Sequence, residues 1–339
     1  MSIFNVIHVI SRGYIHFLLL LLCLCLSLAG PGCRKNTQIT VIKLGHGLDP
    51  SHPVHKAMEF MALRLKERSD GRLRMDIYPS EQLGSERECL ELLQIGSLGM
   101  TKVSCSVLEG FVPAMSILSL PYLFRDSEHR YRVLEGEIGR RLLLEGERFW
   151  LRGLCYYDAG SRSFYTKDRP VLRPDDLKGV KVRTQESPTS IRMVQALGGS
   201  PTPIAWGELY SALQQGVVDG AENNPPSFYL SRHYEVCRHY SLDEHTAVPD
   251  ALLISTHLWQ DLSPRFRELV QEAALESAQV QKRLWKEATQ QALSEVQKAG
   301  VRIHYPDKAP FMERVAPLYE GYRDQPALYG LIREIREMK

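Results

Sequence analysis

The sequence predicts an α/β fold, and three observations carry that reading. Between Leu177 and Ser227, three short apolar runs at 180–183, 201–205 and 217–221 are separated by two glycine-ended segments with helical spacing, the pattern of a βαβαβ unit. A helical pattern then runs over 263–298 with no internal Pro or Gly and stops at Gly300, longer than an ordinary element of one domain. The 339 residues are 44% hydrophobic and 24% charged, enough to bury a core as one large or two smaller domains.

The chain begins with a targeting segment. Arg12 and His16 precede an apolar run at 17–28, followed by small residues and Cys33, as in a secretory signal peptide. The run is short for a membrane span, and Gly30, Pro31 and Gly32 interrupt it. Cys33 after Gly32 is similar to a bacterial lipoprotein cleavage site, although Gly30 and Pro31 depart from the usual pattern. Residues 41–45 and 73–78 read as strands around a helix at 54–68, and a second helix runs from Ser85 to Ile95. There Ser85 is the N-cap and Glu88 holds the capping-box position, which leaves Glu86 without a structural duty. Residues 99–104 form a short run with Lys102 near its end, where a solvated strand edge and a ligand contact both stay open. The stretch 111–124 reads as a buried crossing segment. One helix is expected over 128–144, with Tyr131, Leu134, Ile138 and Leu142 on its core face. Strands at 154–157 and 163–166 bracket Arg162, and a last strand at 301–305 precedes helices rich in Arg and Glu.

Within the βαβαβ unit the carboxyl ends of the strands should meet in the crevice where open α/β sheets hold ligands. They bring Arg183, Trp206 and Asn223 there. Alternation places Arg183 opposite Val180 and Val182, and its planar fork suits a carboxylate. Asn223 offers hydrogen bonds to a neutral polar ligand, and Trp206 an apolar face to C–H groups. Of seven cysteines, Cys89, Cys105, Cys155 and Cys237 follow the export segment. They are widely spaced without C-x-x-C, which favours buried free thiols and leaves a disulfide open.

The segments VKVRTQESP, LGGSPTPIAWGELYSALQQGVVDGAEN and HYEVCRHYSLDEH, together with YPSEQLGSERE and LPYLF, resemble the solute-binding proteins of TRAP transporters, the tripartite ATP-independent periplasmic uptake systems. The likeness runs from about Ile42 to the C-terminus. AENNPPSFYLSRHYEV further resembles the branch associated with sugar acids, especially hexuronates. The resemblance implies a two-domain periplasmic solute-binding fold with crossing hinge strands and a long helix spanning both domains. Residues 1–33 are then the signal, 38–160 with 249–288 one domain, and 161–248 with 289–339 the other. It implies an exported receptor in the periplasm, with Cys33 as an optional lipid anchor, for a monocarboxylate sugar. In it Arg183 clamps the carboxylate, Arg162 assists, Asn223, Glu86 and Lys102 address hydroxyls, and His46 and His52 make polar contacts at the rim. The expected partners are that ligand and the small and large membrane subunits, with the receptor a monomer. A C4-dicarboxylate or other organic acid is the alternative ligand.

Enzymatic and nucleic-acid readings find little support. The formal charge is +2, from 42 basic and 40 acidic residues, so no field favours nucleic acid. There is no G-x-S-x-G, H-E-x-x-H or P-loop, and GHGLDP lacks the third glycine of a dinucleotide fingerprint, so no cofactor is expected. A secreted metal-dependent lyase or hydrolase of sugar acids, with His46, His52 and His55 as ligands, is the alternative from another class. His245 reads as a structural residue.

Overall fold

The computed structural model describes residues 39–338; the expected signal segment and Cys33 lie outside the described residues. The chain forms two sheets. In the first, β1 (Thr40–Gly45) lies between β2 (Leu73–Tyr78) and β3 (Met100–Ser104), parallel to both, and the order is completed by β10 (Asp250–Ser255) and β4 (Leu151–Tyr157). The second has the order β11 (Arg302–His304), β9 (His239–Thr246), β5 (Arg162–Thr166), β8 (Gly220–Asn223), β6 (Lys181–Thr184) and β7 (Ser200–Pro203).

Both sheets contain a place where the chain turns from one face to the other. In the first sheet, α1 (Pro53–Arg68) connects β1 to β2 and buries Val54, Met58, Met61 and Leu65 on one face. The next connection, α2 (Glu86–Gln94), buries Cys89, Leu90 and Leu93 on the opposite face. The second sheet repeats this design around β6. Its α5 (Pro188–Ala196) packs Met193 and Val194 on one face, and α6 (Leu209–Gln215) packs Leu209 and Leu213 on the other. The carboxyl ends of β1 and β6 are therefore topological switch points, where the two diverging connections leave a crevice.

Two direct strand crossings join the sheets: β4 runs into β5 through residues 158–161, and β9 into β10 through 247–249. The helix α7 (Pro264–Lys298) is a third link. Leu269, Val270, Ala273 and Ala274 sit in the first lobe's core and Val296 in the second's, as befits 35 residues that rise about 1.5 Å each. Gln281 fastens this helix to the first crossing: its Oε1 accepts from Asp158 N at 2.8 Å and its Nε2 donates to Asp158 O at 2.7 Å.

Local expectations hold with instructive exceptions. Ser85 and Glu88 make the capping box, with Ser85 N donating to Glu88 Oε2 at 2.8 Å. The single helix expected over 128–144 is instead two, α3 (Ser127–Glu135) and α4 (Glu137–Glu145). Gly136 turns extended between them, and a Cβ there would lie 2.5 Å from Arg132 O. Tyr131 leaves the apolar face and donates to Asp158. The third strand of the βαβαβ unit begins at Gly220 and not at Val217, because Asp219 first caps the sheet edge by accepting from Lys181 N at 2.8 Å. The last helix, α8 (Pro326–Glu337), returns Ile332 and Ile335 to the first lobe's core, whereas the tail 289–339 had been expected in the second domain. Cys89, Cys105, Cys155 and Cys237 are all free and buried. Among the described residues no helix is long and apolar enough to cross a membrane.

Candidate functional site

The two switch points face each other across a small, partly enclosed cavity of about 50 Å³. The first lobe lines it with Gly47, Leu48, His52, Glu86, Lys102, Ser104 and Asp250, and the second with Arg183, Gln185, Trp206 and Asn223. Arg162 opens β5 just after the first crossing, and Trp285 comes from α7. Seven of the eight residues expected from the sequence are therefore brought together. His46 is the exception. It is buried outside the cavity wall, its Nδ1 accepting from Leu48 N at 3.1 Å and its Nε2 3.0 Å from His55 Nδ1.

Arg183 stands out by what it lacks. It is 3% exposed, its Nε donates to Ile204 O at 2.8 Å, and its guanidinium lies 5.9 Å from the centre of the Trp206 ring. Among the described residues Nη1, which is buried, has no partner, and four of the five N–H donors stay uncommitted. Burial, and then the charge of Arg162, lower its pKa. An anion in the cavity offsets both penalties.

Arg162 is in the opposite condition. Its Nε and Nη2 grip both oxygens of Glu222, Nη2 also donates to Glu222 O at 2.8 Å, and Nη1 donates to Asn223 Oδ1 at 2.9 Å. Four of its five donors are committed, which leaves one for a ligand. His245 stands behind Glu222: its Nε2 lies 3.5 Å from Glu222 Oε2 without forming a hydrogen bond, and its Nδ1 lies 2.8 Å from Asp243 Oδ2. Burial alone would lower the His245 pKa, but Asp243 and Glu222 outweigh it and raise it to about 9. Asn223 Oδ1 also accepts from Asn224 N at 2.9 Å, so only the amide Nδ2 remains to serve the cavity.

The facing wall is acidic. Lys102, 3% exposed on the buried strand β3 and no solvated edge, pairs with Glu86 Oε1 at 2.9 Å and Asp250 Oδ2 at 3.1 Å. Burial opposes its charge, but the two carboxylates raise its pKa well above the usual range; burial in turn raises that of Asp250. His52 caps α1 through Nδ1, which accepts from Val54 N at 3.2 Å, and turns Nε2 toward Ser227 Oγ at 3.5 Å. Burial lowers its pKa to about 3, so it is neutral. Sequence reasoning missed Asp250 and Glu222. A carboxylate opening the otherwise apolar strand ALLIS, and another beside Asn223, were the available signals.

Comparison with known proteins agrees with this geometry. The family described as "Bacterial extracellular solute-binding protein, family 7" matches residues 44–325. The chain belongs to that family. As a TRAP periplasmic solute-binding protein it is a transport receptor and not an enzyme, which retires the lyase and hydrolase alternative. A solute-binding protein of Chromohalobacter salexigens is 36% identical over 290 residues, covering 85% of this chain and 86% of that relative. The solved TRAP solute-binding protein of Xanthobacter autotrophicus, with bound β-D-galacturonate, is 36% identical with a TM-score of 0.86, covering 88% of this chain and 100% of that one. A structure from Chromohalobacter salexigens with bound D-glucuronate is 35% identical with a TM-score of 0.85, covering 87% and 99%.

Proposed function

We propose that this receptor binds a hexuronate such as glucuronate or galacturonate and delivers it to the small and large membrane subunits of its transporter. The observation that carries the reading is the buried, unpartnered Nη1 of Arg183. A carboxylate placed against it completes a two-point grip, with Arg162 adding its one free donor and Asn223 its amide. Glu86 and Asp250 accept from sugar hydroxyls, Lys102 and His52 add donors, and Trp206 and Trp285 cover C–H faces. His46 supports the loop and does not touch the ligand. A C4-dicarboxylate fits this cavity less well. Its second carboxylate would meet a wall where one ammonium already serves two acidic side chains. We further propose that the receptor acts as a monomer and that closure of the lobes forms the surface its membrane subunits recognise.

A thermal-shift screen of residues 34–339 tests the ligand. At 100 times its dissociation constant a uronate should stabilise the native state by about 2.7 kcal/mol. A shift with succinate, malate or fumarate and none with any uronate overturns the sugar-acid reading. Whether export acylates Cys33 is decided by the mass of the exported product, where a diacylglycerol adduct supports the lipoprotein alternative. An unmodified N-terminus excludes the anchor.

A further inference from the structure

Ser80 and Glu81 are consecutive non-glycine residues with φ of 53° and 58°, a region that side chains rarely adopt. Backbone bonds hold them there: Ser80 N donates to Leu48 O at 3.0 Å and Glu81 N to His46 O at 3.1 Å. The resulting knuckle, on the loop after β2 in the first lobe, aims the Glu81 side chain across the cleft. Its Oε1 accepts from Gly207 N of the second lobe at 3.0 Å. Glycines make room on both sides. A Cβ on Gly207 would lie 2.2 Å from Glu81 Oε2, and one on Gly47 3.3 Å from Glu81 Cγ and 3.5 Å from Trp206 Cδ1.

The segment that Glu81 grips also holds the unpartnered arginine. Ile204 O accepts from Arg183 Nε, and Trp206 lies beside its guanidinium. We propose that Glu81 is a positioning residue, a latch that fastens the 204–207 turn to the first lobe on closure, so that shutting the cleft and aiming Arg183 become one event. The latch rests on the proposed ligand only for the choice of probe.

The test follows ligand release by stopped flow with D-galacturonate and D-glucuronate. Glu81→Ala should speed dissociation roughly two- to tenfold, the effect of one lost hydrogen bond, with association nearly unchanged. Glu81→Gln keeps an acceptor oxygen and should restore most of the wild-type rate. Gly207→Ala should also speed release, because its methyl group meets the Glu81 carboxylate. In the Glu81→Ala background the same change should cost little, a non-additivity that unrelated local damage does not produce. Unchanged release in Glu81→Ala, or additive losses in the double variant, overturns the latch. A ligand-free arm separates this from the uronate reading: Glu81→Cys/Gly207→Cys should form a disulfide on oxidation that traps the cleft shut. If wild type binds neither uronate, the ligand reading falls and the cysteine pair alone decides; no disulfide overturns the latch.

Discussion

Arg183→Ala should lose uronate binding by roughly thirtyfold to several thousandfold while the empty protein melts at an unchanged or slightly higher temperature. Truncating one partner of a buried, hydrogen-bonded charge pair costs about 2 to 5 kcal/mol in binding. The stability half of the result follows from the burial of Arg183. In the closed ligand-free protein its charge is desolvated and Nη1 has no partner among the described residues, so for alanine the removed desolvation penalty offsets the lost bond to Ile204 O. Arg183→Lys should recover part of the affinity, since an ammonium keeps charge but not the planar fork. The uncharged alcohol analogue of the ligand supplies the control. Calorimetry should show wild type binding it poorly and Arg183→Ala losing little more. Equal losses for acid and alcohol would mean that Arg183 shapes the cavity without reading the carboxylate.

Glu222→Ala should destabilise the protein itself by about 3 to 5 kcal/mol, because it strands the Arg162 guanidinium in the interior with Asn223 as its main remaining partner. Glu222→Gln, which keeps the shape, should cost less but still lower the melting temperature. The chain Arg162, Glu222, His245 and Asp243 also sets a pH profile. Burial would raise the Glu222 pKa, but Arg162 and His245 outweigh it and hold it at about 2. Its contribution to stability is therefore full above the ordinary carboxylate value near 4.5 and is lost as pH falls through 2. His245, raised to about 9, contributes fully below its ordinary 6.5 and loses that contribution as pH rises through 9. The contribution of this chain, read as the difference in melting between wild type and Glu222→Gln, should be flat between about 4.5 and 6.5 and decline on both sides, while the buried neutral His46, His52 and His233 lower overall stability as pH falls below 6.5. An alkaline decline that persists unchanged in His245→Gln would show that this chain does not set it.

Much of this protein was determined by local sequence. The period of apolar residues and the glycine stops marked the βαβαβ unit at 177–227, Ser85 and Glu88 fixed the start of α2, and uninterrupted helical spacing set the long helix, because propensity, capping and amphipathicity act within a few residues. Strand alternation likewise turned Arg183 away from Val180 and Val182. Side-chain state was beyond reach. Arg162 and Arg183 look alike in sequence, yet one is gripped by a carboxylate 60 positions away and the other, among the described residues, has none bonded to it. Lys102 was open between solvent and ligand until β10 set Asp250 beside it. The break at Gly136, the return of Ile332 and Ile335 to the first lobe and the removal of His46 from the cavity wall were also decided by packing. The physical reason is common to them all. Whether a buried charge is paired depends on the desolvation and partners that distant segments supply, and only the folded chain brings those segments together.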